Sequence, residues 1–193
     1  MSLTDRLLAA FIWFLAVLAI AGMTHIIAIF ALPGFFSIDL YAWASKVASP
    51  GQLTILTGAG REKPFIPFAD PAMAQAICPF DLTRGGLRLH ADVNGDRLLV
   101  LSFHTAAGKL FYSMTDRAAH LGKMDVVVLT PRQLDIVESQ DDEENPSQDL
   151  RLLAPESRGF VLAKALAPFP GEMPEAAERL KSVSCSVEAI VQE

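Results

Sequence analysis

LRLHADVNGDRLLVLSFHTAAGKLFYSMT, residues 87–115, is the stretch whose reading decides the fold. Apolar and polar residues alternate through LRLHADV, the period-two pattern of a strand with one solvated face. Asn94-Gly95 follows. This is a strong hairpin signal, because a type I′ turn needs positive φ at both central residues. The spacing predicts a returning strand over residues 97–105, centred on LLVLSF, and a second turn at Ala107-Gly108-Lys109. LFYSMT then makes a third strand, and turn signals this closely spaced describe a meander.

Toward the C-terminus, MDVVVL (residues 124–129) is a fourth strand, and Thr130-Pro131 reads as the cap and first residue of a short helical turn through Leu134. ESQDDEENPSQD (138–149) is an acidic loop. Residues 150–154 and 160–166 are further strands, and 175–183 form a terminal helix with Pro174 near its start. Toward the N-terminus, Asp70 and Pro71 suit a helix start, AMAQAI supplies one or two helical turns, and Pro79 stops them. LTILT (53–57) suits a strand and residues 40–47 a short helix. Five or six short strands with helical decorations predict a mainly β domain of the β-sandwich or jelly-roll kind over residues 68–193. Residues 33–67 connect it to what precedes.

What precedes is apolar. Residues 7–32 include no Asp, Glu, Lys or Arg. As a helix this run is about 39 Å long at roughly 1.5 Å per residue, enough to span a hydrocarbon core of about 30 Å. Ala19-Ile20-Ala21 has the small-x-small form of a signal-peptidase site, but the apolar run continues to Leu32, past the end of an ordinary signal h-region. The expectation is an uncleaved, single-pass anchor in a bacterial inner membrane. Arg6 precedes the span and no cation follows it until Lys46. The positive-inside rule therefore places residues 1–6 in the cytoplasm and the domain in the periplasm. Pro33-Gly34 ends the helix, and Phe35, Phe36, Tyr41 and Trp43 would form an interfacial aromatic belt. His25 is the one ionisable group within the span.

The net charge of −6 argues against a nucleic-acid partner, which requires a basic surface. Cys78 and Cys185 are the two cysteines and both lie in the domain. Outside the cytoplasm such a pair reads as a disulfide. With no CxxC and no histidine at ligand spacing, neither a redox motif nor a metal site is expected, and no cofactor is implied.

THIIAIFALP, FADPAMAQAICPFDL, DRLLVLSFHTAAGKLFYSMTDRAA, MDVVVLTPRQL and RGFVLAKALAPFPGEMPEAAERLKSVSC together resemble the bacterial domain-of-unknown-function families 1254 and 1214. The likeness covers nearly the whole chain, and FYSMTDR is its most specific element. Thr115 stands there where the family usually has Asn. The resemblance implies a β-sandwich in the cell envelope and leaves activity open.

Asp116-Arg117 is the most suggestive polar pair. It reads either as a ligand-binding edge, with Arg117 as an anion fork and His104 and Tyr112 nearby, or as a strand-terminal turn capped by Asp116. A tight turn at Asn94-Gly95 would set position 90 opposite about 99, so His90 and His104 would not face each other. Ser102, Ser113, Cys78 and Cys185 are the available nucleophiles, none in a GxSxG elbow. The acidic loop lacks the spacing and glycine of a calcium loop. The leading expectation is a structural or interaction module meeting another envelope protein. The alternative is a small-ligand-binding or hydrolytic cleft around His104, Tyr112, Asp116 and Arg117.

Overall fold

The computed structural model describes residues 3–35, 39–56, 69–93, 97–141 and 149–190. The chain divides into two compact units, residues 1–38 and 39–193. The first is one helix, α1 (Leu3–Phe35). Its Leu3–Leu32 part has a mean hydropathy of 2.4, so by length and composition it can cross a membrane. The helix continues two residues past Pro33. A proline there removes only one hydrogen bond, in the last turn.

The second unit begins with α2 (Leu40–Ala44), capped by the Asp39 carboxylate, and β1 (Thr54–Ile55). There follow β2 (Met73–Asp81), β3 (Gly86–Asp92), β4 (Leu99–Thr105), β5 (Leu110–Thr115), β6 (Lys123–Leu129), α3 (Pro131–Ser139), β7 (Leu150–Leu153), β8 (Arg158–Leu166), α4 (Met173–Leu180) and β9 (Val183–Glu188). These form a five-stranded antiparallel sheet, β1-β2-β8-β4-β5, and a four-stranded mixed sheet, β7-β6-β3-β9, in which β6 and β7 run parallel. Alternate residues of both sheets enter one core: Phe80 of β2 and Phe103 of β4 from the larger, Leu89 of β3 and Val126 of β6 from the smaller. Ala176 and Leu180 of α4 join it.

A smaller cluster lies on the outer face of the larger sheet, where Ala44 and Ala48 meet Ile77 and Phe160 with Trp43 packed against them. Trp43 thus serves the domain rather than standing free as a belt residue. Arg158 lies over the Tyr41 ring, and Phe36 lies outside the described residues.

Three expectations are corrected. AMAQAI is strand, not helix. Asp70 makes an Asx turn, its carboxylate accepting the Ala72 N–H at 2.9 Å. From Met73 the chain then pairs with β8 over nine positions. The alanines are buried small residues between strands, where helix propensity has no say. Pro79 is tolerated because its carbonyl accepts the Gly51 N–H at 2.8 Å on the β1 side, beyond the two residues that β1 pairs. Its missing N–H therefore faces a gap in the ladder.

Second, no hairpin joins β3 to β4. β3 is flanked by β6 and β9, and β4 by β8 and β5, in different sheets. Both edges of each strand are already taken, so the connection crosses between sheets despite its turn signal. Asn94 and Gly95 themselves lie outside the described residues. Third, the terminal helix ends at Leu180 and Cys185 stands on a strand, β9, that pairs with β3. The turn at Thr130-Pro131 grows into all of α3, held by a full capping box between Thr130 and Gln133.

Candidate functional site

The sheet orders leave two seams between the sheets. At one, β2 meets β9 and Cys78 is disulfide-bonded to Cys185, with Cα atoms 6.7 Å apart. This is the pairing the sequence suggests, and it links the two sheets covalently.

At the other seam β5 faces β6 and β7 across a groove of about 360 Å³. Tyr112 and Met114 of β5, Met124 and Asp125 of β6 and Leu150 of β7 line it, with Leu121 at its lip. Leu121 and Gly122 form a two-residue turn with φ of 51° and 75°, closed by reciprocal backbone hydrogen bonds between His120 and Lys123 of 2.9 and 3.0 Å. Both φ values are positive, as a type I′ turn demands, and Asn is the residue usually found where Leu121 stands. Leu121 is also 87% exposed. A leucine in the left-handed region costs roughly 1–2 kcal/mol, and here it gains no burial in exchange. Tyr112 and Leu150, which line the same groove, are also exposed.

β5 is an edge strand, and its hydrogen-bonding parity can be read from its neighbours. Leu98 accepts the Leu166 N–H at 3.0 Å, so residues 98, 100 and 102 bond toward β8. Leu101 and Phe103 then bond toward β5 through Met114 and Tyr112. The backbone groups of Ser113 therefore point outward, away from the sheet.

Behind the groove, His90 lies between two carboxylates, Nδ1 2.5 Å from Asp125 and Nε2 3.4 Å from Asp92. The hydrogen bond to Asp125 raises its pKa above the ordinary histidine value, against a partial opposing effect of burial. Ser184 is in register on its other side. The row Ser184–His90–Asp125 has the composition of a hydrolytic triad, but Nε2 is engaged by Asp92 and the histidine favours its charged form. Neither suits a general base.

The four residues singled out from the sequence do not converge. His104 stacks on Phe160 with ring centroids 5.1 Å apart, on the outer face of the larger sheet. Its Nδ1 lies 3.2 Å from the Gly108 carbonyl, which can only accept, so that nitrogen carries the proton. Nε2 lies 3.2 Å from the Ser102 hydroxyl, which donates to the Leu162 carbonyl at the same distance, and burial lowers the His104 pKa. Tyr112 instead shares the core-side face with its partner Phe103 and lines the groove. Asp116 begins a single 3-10 turn, Asp116–Ala118, with one carboxylate oxygen buried without a hydrogen-bond partner, and Arg117 is exposed. Both ends of the acidic loop are anchored to the smaller sheet's side: Asp141 to Arg151 at 2.5 Å and Asp149 to Arg88 at 2.8 Å. Among the described residues no three His, Cys, Asp or Glu side chains converge as a metal site would require. Sequence reasoning missed Leu121; Gly122, a glycine directly before a strand, was the available signal.

No protein-family model matches the chain, and no curated protein matches it. Among solved structures, the VPA0106 protein from Vibrio parahaemolyticus matches over 78% of this chain at 9% identity and a TM-score of 0.55. An uncharacterised protein from Burkholderia cenocepacia matches over 77% at 14% identity and a TM-score of 0.48. This chain covers 35% and 37% of their lengths. The first shares the fold of the β-rich unit, and at this identity the likeness speaks to fold alone.

Proposed function

We propose that the chain is a membrane-tethered protein of the bacterial cell envelope, similar to families 1254 and 1214. Its β-rich domain, a β-sandwich of jelly-roll type, lies outside the cytoplasm and acts as an interaction module for another envelope protein. The apolar α1 supports the tether, and an inter-sheet disulfide fits an oxidising compartment.

One observation carries the interaction reading: Leu121, held at positive φ and almost fully exposed at a groove that the exposed Tyr112 and Leu150 also line. Apolar residues gathered around a groove mark a surface that a partner covers. The alternative, a ligand-binding or hydrolytic cleft, has weaker support because His104 and Tyr112 face opposite sides of one sheet. A photo-crosslinking residue at position 121 in the full-length chain should yield a protein adduct in cells, and one at Ser186 on β9 should not. Equal labelling from both sites, or none from position 121, would sink the proposal. Alkaline phosphatase fused after Glu193 should be active, and an inactive fusion reverses the orientation.

A further inference from the structure

We propose that a cavity beside α4 binds a small zwitterion of the α-amino-acid class, its carboxylate on Arg179 and its ammonium on Glu175. The cavity holds about 330 Å³, at the lower end of the roughly 300–1,000 Å³ that small-molecule sites occupy. It shares no lining residue with the groove at the open seam, so this inference goes beyond the interaction reading and does not depend on it.

α4 sets the two charges. Ala176 and Leu180, one helical turn apart, enter the core. Glu175 and Arg179 are likewise one turn apart, and both line the cavity. A glutamate four residues before an arginine on a helix ordinarily pairs with it. Here it does not: among the described residues neither side chain has an ionic partner. Arg179 turns inward instead and donates through one terminal nitrogen to the Leu166 carbonyl. Its Nε is buried without an acceptor among the described residues. A half-buried guanidinium with no counter-ion is costly, and an anion in the cavity lowers that cost.

The other charges of the wall are already matched. Arg97 is bound to Glu172, Glu178 to Lys181 at 2.6 Å, and Asp92 lies 3.4 Å from His90. That leaves one charge of each sign. A plain anion would leave Glu175 unmatched, and a plain cation would leave Arg179 unmatched, whereas a ligand carrying both charges satisfies the two. The Cβ atoms of such a helical pair lie about 5–6 Å apart, a gap that the carboxylate and ammonium on one carbon can bridge. Half-buried Val93 and buried Leu99 add an apolar wall for the ligand's side chain.

The test is calorimetric titration of the full-length chain in detergent with glycine, alanine and leucine. Isocaproate and isoamylamine, which are leucine without its ammonium and without its carboxylate, are titrated alongside. Leucine should bind saturably and about tenfold or more tighter than either, since each loses a charge-assisted hydrogen bond. Glu175 is exposed, so Glu175→Gln should leave folding unchanged, weaken leucine about tenfold and leave isocaproate unaffected. Asp135→Asn, at an exposed acid of α3, should change nothing. Saturable binding of none of the three amino acids at millimolar concentration overturns the proposal. So does isocaproate that binds as tightly as leucine, or Asp135→Asn that weakens leucine as much as Glu175→Gln.

Discussion

Where β2 meets β9 the sheets are joined covalently around fully buried Cys78 and Phe80, whereas where β5 faces β6 and β7 they leave a groove rimmed by exposed leucines. The first seam carries stability. The second holds a strained, exposed Leu121 that gains no burial within the domain, and the proposed interaction surface rests on this contrast.

The largest effects should come from the closed seam. Phe80→Ala should cost about 3–5 kcal/mol in urea unfolding, and Tyr112→Ala at the open seam about 1 kcal/mol, as suits a half-exposed ring at the margin of the core. Similar losses at both sites would erase the distinction. Cys78→Ser should cost about 2–5 kcal/mol and abolish the gel-mobility shift on reduction. If two thiols of the wild type alkylate without reductant, the closed seam is not closed. Leu121→Asn should act in the opposite direction, raising stability by up to about 1 kcal/mol while abolishing the adduct formed by a photo-crosslinking residue placed at position 112. A variant that gains stability and keeps its partner would separate the strain from the function.

The smallest effect is on pH dependence, and the two histidines act on opposite sides of the unfolded histidine pKa of about 6.5. His90 is raised, so its stabilisation is complete below that value and is lost as pH rises through the folded-state pKa. His104 is lowered, so the unfolded chain takes up its proton first and stability falls as pH drops below about 6.5. Thermal unfolding of His90→Gln should lose the alkaline-side decline, and that of His104→Gln the acid-side one. A variant whose pH profile matches the wild type rules out its assignment.

Much of the β architecture was legible because strands such as β3 and β6 keep their period-two or continuous apolar patterns whatever they pair with. Pairing was not legible. Asn94-Gly95 is a local signal, and it was overruled by edges of β3 and β4 already filled by strands far along the chain. AMAQAI misled for a related reason, since alanine favours helices in isolation but β2 is decided by its place between β1 and β8. The candidate site was legible at Tyr112 alone. Grouping it with His104 required knowing which face of β4 each one shares, and that depends on a β-bulge opposite Phe103 and His104.

The Cys78–Cys185 bond also sets the order in which the molecule can come apart. With its ends 107 positions apart in the sequence, it encloses every element from β3 to α4 in a covalent ring. A protease that nicks the exposed Leu121-Gly122 turn opens that ring without freeing a fragment. The cut chain migrates as one species until a reductant separates its halves.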